Sequence, residues 1–190
     1  MIAVLVLLQL IWVQPDAQRT PGKVNPDVTQ GNIAENICSN TWSTRQVRPP
    51  RNYTRKLKLD QMQQYGDTVP DAAEACVPRS NNPKCYEEDH LIWLQAGGHP
   101  TDPENLWPQP YNSEINGQIV GARQKDLVES FIHDEICFAI PDSRKNSKIY
   151  HPHSGLTLKR GQEILAKDWF TCYLSMVREK IANRRQHVRR

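Results

Sequence analysis

The sequence has no pair of cysteines spaced as Cys-x-x-Cys, although it contains five cysteines. That spacing is the usual signature of a zinc–thiolate knuckle, so its absence argues against such a site. The chain also has no apolar run of about 20 residues, the length that a membrane-spanning helix needs. It has no internal repeat and no low-complexity tract. We therefore expect 190 residues to form one globular domain with appendages and no integral membrane role.

The apolar stretch at residues 2–13 has the length of a signal-peptide core. The polar residues that follow it suit cleavage near Ala17. No Lys or Arg precedes the apolar run, which leaves a membrane tether open as an alternative. We predict export, to the periplasm or outside the cell, with residues 1–17 as signal peptide or tether and residues 18–27 as linker.

With export, one or two disulfides are expected, because disulfides persist in oxidising compartments. Cys76 with Cys85 would close a short loop, and Cys38 with Cys137 or Cys172 would tie an early helix to the later ones. The odd number of cysteines leaves at least one unpaired within a monomer. The sequence leaves the connectivity open.

The formal net charge is only +3, from 24 Lys and Arg against 21 Asp and Glu, so it says little about partners. The distribution of charge says more. Residues 45–58 carry six basic side chains and no acid, and residues 178–190 carry six Lys and Arg against one acid, Glu179. Such runs can bind phosphates or form a solvated surface. Both interpretations stay open for 45–58, whereas 178–190 is interpreted as a solvated basic tail.

Hydrophobic periodicity predicts an α+β fold that is mostly helical. Helices are expected, with their approximate bounds, at residues 27–38, 54–65, 122–138 and 156–181. A short strand or extended run is expected at 86–94, and Gly97-Gly98 predicts a turn. Residues 67–84 and 141–155 are predicted to be irregular. Residues 28–177 would form the single domain.

Residues 85–111 hold an acid, a histidine, a double glycine and an asparagine in one short segment. Asp89 offers the hard oxygen ligands that divalent cations prefer, and His90 offers a general base with a pKa near neutrality. Adjacent strand residues point to opposite sides, so one can bind a metal while the other faces a phosphate. The turn at Gly97-Gly98 would return the Asn105 amide oxygen to the same metal. Phosphodiester cleavage needs this combination of base and cation, so we predict a metal-dependent nuclease centre.

Asp-His-Leu-Ile, Gly-Gly and Asn-Leu in this order resemble the HNH endonuclease motif, the ββα-metal finger. The flanks resemble one branch of it, a group of small exported bacterial HNH-like proteins. The matching segments are Glu87 to Ile92, Gly97 to Pro103, Asn105 to Pro108, Gly121 to Asp126 with Glu129, Val47 to Pro50, Tyr53 to Lys58, and Asp168-Trp169. The likeness covers roughly residues 25–175.

This resemblance implies an HNH-like core, with a short two-stranded hairpin and flanking helices, that hydrolyses DNA or alternatively RNA. His90 would be the general base, Asp89 a metal ligand, and Asn105 a ligand or an orienting residue at the catalytic centre. Mg²⁺ or Mn²⁺ suits such oxygen ligands better than Zn²⁺. Many HNH proteins have a third histidine on the helix after the motif. This chain departs from them, because no histidine lies between His99 and His133. The chain also has Trp93 at a position where HNH strands commonly have a proline.

Other charged residues near the motif have both a functional and a structural interpretation. Nucleic-acid contacts are predicted for four basic residues, Lys125, Arg123, Arg55 and Lys56. Glu88 and Glu129 are predicted to orient the ligands. The structural alternative is a surface charge ladder on the helix that carries Lys125 and Glu129. His99 is interpreted as structural, and His151 and His153 as a weak pair on which nothing else converges.

Two other functions remain open. The same fold could bind nucleic acid or a cell-surface partner without catalysis, or it could hydrolyse another class of phosphoester. The oligomeric state is open.

Overall fold

The computed structural model describes residues 14–65, 76, 82–115, 118–138 and 155–188. Its helices and strands are α1 (Arg51–Gln64), β1 (Tyr86–His90), β2 (Leu106–Pro110), β3 (Ser113–Ile115), β4 (Gln118–Val120), α2 (Ala122–Cys137), α3 (Leu158–Glu163) and α4 (Trp169–Val188). Short 3-10 turns lie at Thr44–Gln46, Pro83–Cys85, Leu94–Ala96 and Pro103–Asn105, and a π-helical turn at Ile164–Asp168 joins α3 to α4. The fold is α+β, as predicted, with more helix than strand.

The described strands form two antiparallel hairpins, β1 with β2 and β3 with β4. In the first hairpin, Asp89 lies opposite Trp107 and His90 lies opposite Leu106. The loop of residues 91–105 connects these two strands. This register brings Asn105, the last residue of the loop, beside the end of β1. α1 packs against both strands of this hairpin.

The main hydrophobic core lies where α2, the α3–α4 segment and the turns at residues 33–38 meet. α2 contributes Val128, Ile132 and Ile136, whose spacing of four residues places them on one buried face. Gly161 of α3 packs directly against this face, and a Cβ there would lie 2.6 Å from Ile136 Cδ1. A glycine inside a helix usually destabilises the helix. Here it lets α3 approach α2 closely.

Two disulfides join Cys38 to Cys137 and Cys76 to Cys85, and Cys172 is free. Both pairs are among those that the sequence predicts. Disulfides indicate an oxidising environment. Within the part of the chain that the structure describes, no helix is long and apolar enough to cross a membrane. Of the predicted signal peptide or tether at residues 1–17, residues 1–13 lie outside the described residues.

The predicted helices at 122–138 and 156–181 are confirmed as α2 and as the α3–α4 segment. α1 begins at Arg51 rather than 54, because the extended backbone of Pro50 already provides the helix start. The second helix segment also extends to Val188, into the predicted basic tail. The strand predicted at 86–94 is confirmed only as far as His90.

The helix predicted at 27–38 is wrong, because this segment forms a series of turns. Two asparagines compete with helical hydrogen bonding there. Asn32 accepts from the Thr29 N–H and donates to the Asp27 carbonyl, and Asn36 accepts from the Ile37 N–H. The hairpin of β3 and β4 was not predicted, since strands of three residues carry too little periodicity. His151 and His153 lie outside the described residues.

Candidate functional site

The strand β1 presents polar side chains to two sides of the hairpin. Successive residues alternate, so Tyr86, Glu88 and His90 share one face while Glu87 and Asp89 share the other. On the first face, the charge of Lys58 of α1 acts on Glu88 and opposes the effect of burial on its pKa. On the second face, Asp89 bonds to Lys125 of α2. The predicted opposite orientation of Asp89 and His90 is therefore present.

The ammonium group of Lys125 is enclosed by three oxygen atoms. Its Nζ donates to Asp89 Oδ2 at 2.7 Å, to the His90 carbonyl at 2.8 Å, and to Glu129 Oε1. Burial alone would lower the pKa of Lys125, but the charges of Asp89 and Glu129 outweigh this effect and raise the pKa. The group is therefore a permanent buried cation. The prediction that Lys125 contacts nucleic acid is wrong here, because the residue is only 1% exposed.

Glu129 is also buried, and its carboxylate holds the Lys125 ammonium from the same helix, one turn away. Burial raises the pKa of Glu129, whereas the charge of Lys125 opposes this rise. The predicted role of Glu129, to orient other groups of the site, fits this position. What it orients is a lysine and not a metal ligand.

Asn105 fastens the loop between β1 and β2 and is completely buried. Its Oδ1 accepts from the Ile92 N–H at 2.9 Å, and its Nδ2 donates to the carbonyls of Ile92 at 3.0 Å and His99 at 2.9 Å. Gly98 makes this arrangement possible, because a Cβ there would lie 1.7 Å from the Ile92 carbonyl oxygen. Of the two predicted roles of Asn105, the structure shows orientation of the loop.

His90 lies at the end of β1 and is 8% exposed. Its Nε2 lies 2.9 Å from the Pro100 carbonyl, the one side-chain hydrogen bond of His90 within the described part of the chain. A carbonyl can only accept, so Nε2 carries the proton and Nδ1 keeps its lone pair. Burial is the main cause that lowers the pKa of His90. The imidazole is therefore neutral at neutral pH and has the protonation state of a general base.

Arg48 is the exposed basic residue whose charge reaches this centre. Its charge contributes to lowering the pKa of His90, after the larger effects of burial and of the Lys125 charge, and it also acts on Glu87 and Asp126. In the sequence, Arg48 is only one residue of the basic run at 45–58, and its place before Pro49-Pro50 is the signal that could set it apart. The proline pair favours extended backbone ahead of α1.

The other basic residues predicted to contact nucleic acid lie on the surface. Arg123, near the start of α2, is exposed, and its charge acts on Tyr111 and Asp126. Arg55 and Lys56 of α1 are exposed too. All three remain available to a polyanion. In contrast to Arg48, none of them has its charge acting on His90.

A divalent cation at this centre would need ligands that point to one place. Among the described residues, no group of three or more His, Cys, Asp and Glu side chains is arranged to bind a metal ion. Asp89 is paired with Lys125, and both amide atoms of Asn105 are bonded to backbone. Asp89 and Asn105 therefore do not point to one place in this conformation, and the divalent metal stays a prediction from the sequence.

No protein-family model, curated protein or solved structure matches this chain. The resemblance to HNH endonucleases thus remains a prediction from the sequence. The functional argument rests on the geometry of β1, the loop after it and α2.

Glu88 is the acidic residue near the centre whose polar atoms are least satisfied. Among the described residues, neither of its carboxyl oxygens has a hydrogen-bond partner, although both atoms are buried. Burial, with a further contribution from the charge of Asp89, raises the pKa of Glu88 to about 9. The carboxyl group is therefore protonated at neutral pH. The predicted role of Glu88 as an orienting group has no hydrogen bond to support it.

We expect Glu88→Gln to stabilise the protein at pH 8 by about 1–3 kcal/mol, because the amide needs no proton to stay neutral when buried. A carboxyl group whose pKa rises from 4.5 to about 9 on folding makes the wild type lose stability as the pH rises between these values. The variant should lack this loss. Urea denaturation from pH 5 to 9 measures it, with the exposed Glu104→Gln as the matched control. Equal pH dependence of wild type and Glu88→Gln would contradict the assignment.

Proposed function

We propose that this protein is an endonuclease that hydrolyses phosphodiester bonds of nucleic acid, with DNA as the first substrate and RNA as the alternative. One observation carries the proposal: the His90 imidazole is held neutral, with Nε2 bonded to backbone and Nδ1 left as an acceptor. The charge of the exposed Arg48 also lowers the pKa of His90, after burial and the charge of Lys125. A neutral imidazole with an acceptor nitrogen can serve as the general base of phosphodiester hydrolysis.

In this mechanism, His90 Nδ1 takes a proton from the attacking water, and the charge of Arg48 stabilises the negative charge that develops on the phosphate. The Pro100 carbonyl fixes the orientation of the ring. Asn105 holds the loop that contains Pro100, and Lys125 binds the backbone carbonyl of His90 itself. Asn105 and Lys125 are thus positioning residues, because neither side chain is exposed to a substrate.

The export signal proposed for residues 1–17 agrees with this function. The disulfides indicate an oxidising environment, where an exported nuclease would act. Exposed basic residues on α1 and α2 would add sequence-independent contacts to the phosphate backbone. The chain offers no module that would read base edges, so we propose cleavage with little sequence preference.

The second candidate is a protein that binds nucleic acid or another partner without catalysis. The observation that favours it is burial. His90 is only 8% exposed, and the acidic residues that could serve a cation are paired with Lys125 or buried. Binding would then use the exposed basic residues alone.

Cleavage of supercoiled plasmid by the purified protein tests the proposal, in buffers with Mg²⁺, with Mn²⁺ and with chelator. We expect His90→Ala to slow nicking about 10²- to 10⁴-fold, because the variant lacks the general base. The wild-type rate should fall as the pH drops below 6.5, with its half-maximal point below that value, since burial lowers the pKa of His90. Structured RNA and a small phosphodiester serve as parallel substrates.

His99→Asn is the matched control, because it replaces a histidine of the loop that follows β1 with another hydrogen-bond acceptor. His99 Nδ1 accepts from the Thr101 and Asp102 N–H groups and has no proposed chemical role. Equal rates for wild type and His90→Ala on every substrate would reject catalysis by this centre. If both proteins then bound DNA with the same affinity, the binding function would take its place. Cleavage of the small phosphodiester alone would identify a different phosphoesterase.

A further inference from the structure

We propose that the Lys125 ammonium is the resident cation of this centre, and that its oxygen cage accepts a divalent metal only after the lysine side chain is removed. This inference concerns the centre itself and does not require the hydrolytic activity proposed above. It differs from the prediction of Mg²⁺ or Mn²⁺ on Asp89 and Asn105.

The donor set around Lys125 is the first argument. Asp89 Oδ2 at 2.7 Å, the His90 carbonyl at 2.8 Å and Glu129 Oε1 all surround one nitrogen atom. Two of them are carboxylates and the third is a backbone carbonyl, which are the ligand types that Mg²⁺, Mn²⁺ and Ca²⁺ prefer. They come from β1 and from α2, so the cage depends on the fold and not on one short segment.

The burial of the ammonium is the second argument. Lys125 is 1% exposed, and its ammonium already pairs with both Asp89 and Glu129. A metal would have to displace a compact positive charge that already neutralises both carboxylates. It could not recruit Asn105 instead, because that amide bonds to the backbone of Ile92 and His99. Divalent binding and an intact Lys125 pair therefore exclude each other.

Shortening the Lys125 side chain should convert the site of the ammonium group into a site for a divalent metal ion. Lys125→Ala removes the ammonium and leaves two carboxylates and a carbonyl around an open space. Lys125→Met is the matched variant, because it removes the charge but fills the same space with an apolar chain. Only the alanine variant should bind a divalent ion, and the ion should restore the attraction between β1 and α2 that the lysine provides.

Titration with Mn²⁺ tests the inference, by calorimetry and by the melting temperature (Tm) of protein first treated with chelator. We expect no Mn²⁺ site at this centre in the wild type, and about one Mn²⁺ per chain in Lys125→Ala. The Tm of Lys125→Ala should rise by about 5 °C or more at a Mn²⁺ concentration 100 times the Kd. Lys125→Met should show neither effect.

Asp89→Asn in the wild-type background locates any Mn²⁺ that the wild type does bind. Stoichiometric binding by the wild type that Asp89→Asn abolishes would overturn the inference. Binding that Asp89→Asn leaves unchanged lies elsewhere on the chain and agrees with it. If Lys125→Ala gains nothing from Mn²⁺, or does not fold in its presence, the oxygen cage is not a cation site and the inference fails. None of these readouts depends on cleavage, so a failure of the proposed nuclease function would be seen separately.

Discussion

Lys125→Met is expected to lower the free energy of unfolding by about 3–5 kcal/mol, because it leaves two carboxylates without their buried cation. Glu129 is the more affected of the two, since it is buried and its carboxylate accepts a hydrogen bond from Lys125. Asp89 retains some contact with solvent, with a side chain that is 16% exposed. Urea denaturation followed by far-UV circular dichroism measures the change.

Two controls separate the loss of this cation from a general effect of removing a lysine. Lys56→Met removes an exposed lysine from α1 and should change stability by no more than about 0.5 kcal/mol. Lys125→Met/Glu129→Gln should recover part of the loss, because the buried glutamate no longer carries a charge. A cost below 1 kcal/mol for Lys125→Met, with no recovery in the double variant, would show that the cluster does not hold β1 to α2.

Removal of the Cys38–Cys137 disulfide should cost about 4–5 kcal/mol, because the bond closes a loop of 99 residues. In the unfolded chain such a crosslink removes more conformational entropy than a crosslink between near neighbours. Cys38 and Cys137 are also both part of the main core, next to the packing of α2 on the α3–α4 segment. Thermal unfolding of Cys38→Ala/Cys137→Ala measures the effect.

The other cysteines supply the comparison. Cys76 and Cys85 are separated by only 9 residues, so Cys76→Ala/Cys85→Ala should cost about 2–3 kcal/mol. Cys172→Ala removes a partly buried thiol that forms no disulfide and should cost less than either pair. The account is contradicted if the two disulfide variants are equally stable, or if reducing agent leaves the Tm of the wild type unchanged.

The longest helices and one disulfide could be predicted from local features of the sequence. The apolar residues of α2 recur at helical spacing, and those of α1 predict that helix apart from its first turn, which begins at Arg51 and not at 54. The short spacing of Cys76 and Cys85 suggested their pairing. The failure at 27–38 has a local cause, because Asn32 and Asn36 bind nearby backbone and end a helix that the apolar spacing would allow.

The sequence grouped neighbouring residues of the candidate site without showing their contacts. Asp89, His90, Lys125 and Glu129 lie together around the end of β1 and the facing turn of α2, and Asn105 bonds to the loop that follows β1. Their sequence spacing cannot show which polar atoms bond to one another. Lys125 was predicted to face solvent because a lysine on an amphipathic helix usually does. The fold buries Lys125 instead, because it pairs with Asp89 of β1, a strand that is distant in sequence.

The sequence by itself determined the α+β class, the main helices, and the segment in which chemistry-bearing residues gather. These follow from periodicity, prolines, glycines and residue types, which act over a few neighbouring positions. Only the tertiary structure decided that Asn105 bonds to the backbone of the loop, that Lys125 is buried between Asp89 and Glu129, and that the His90 ring bonds to the Pro100 carbonyl. These assignments depend on contacts between residues far apart in the chain, and the direction of a side chain toward such a partner is set by packing.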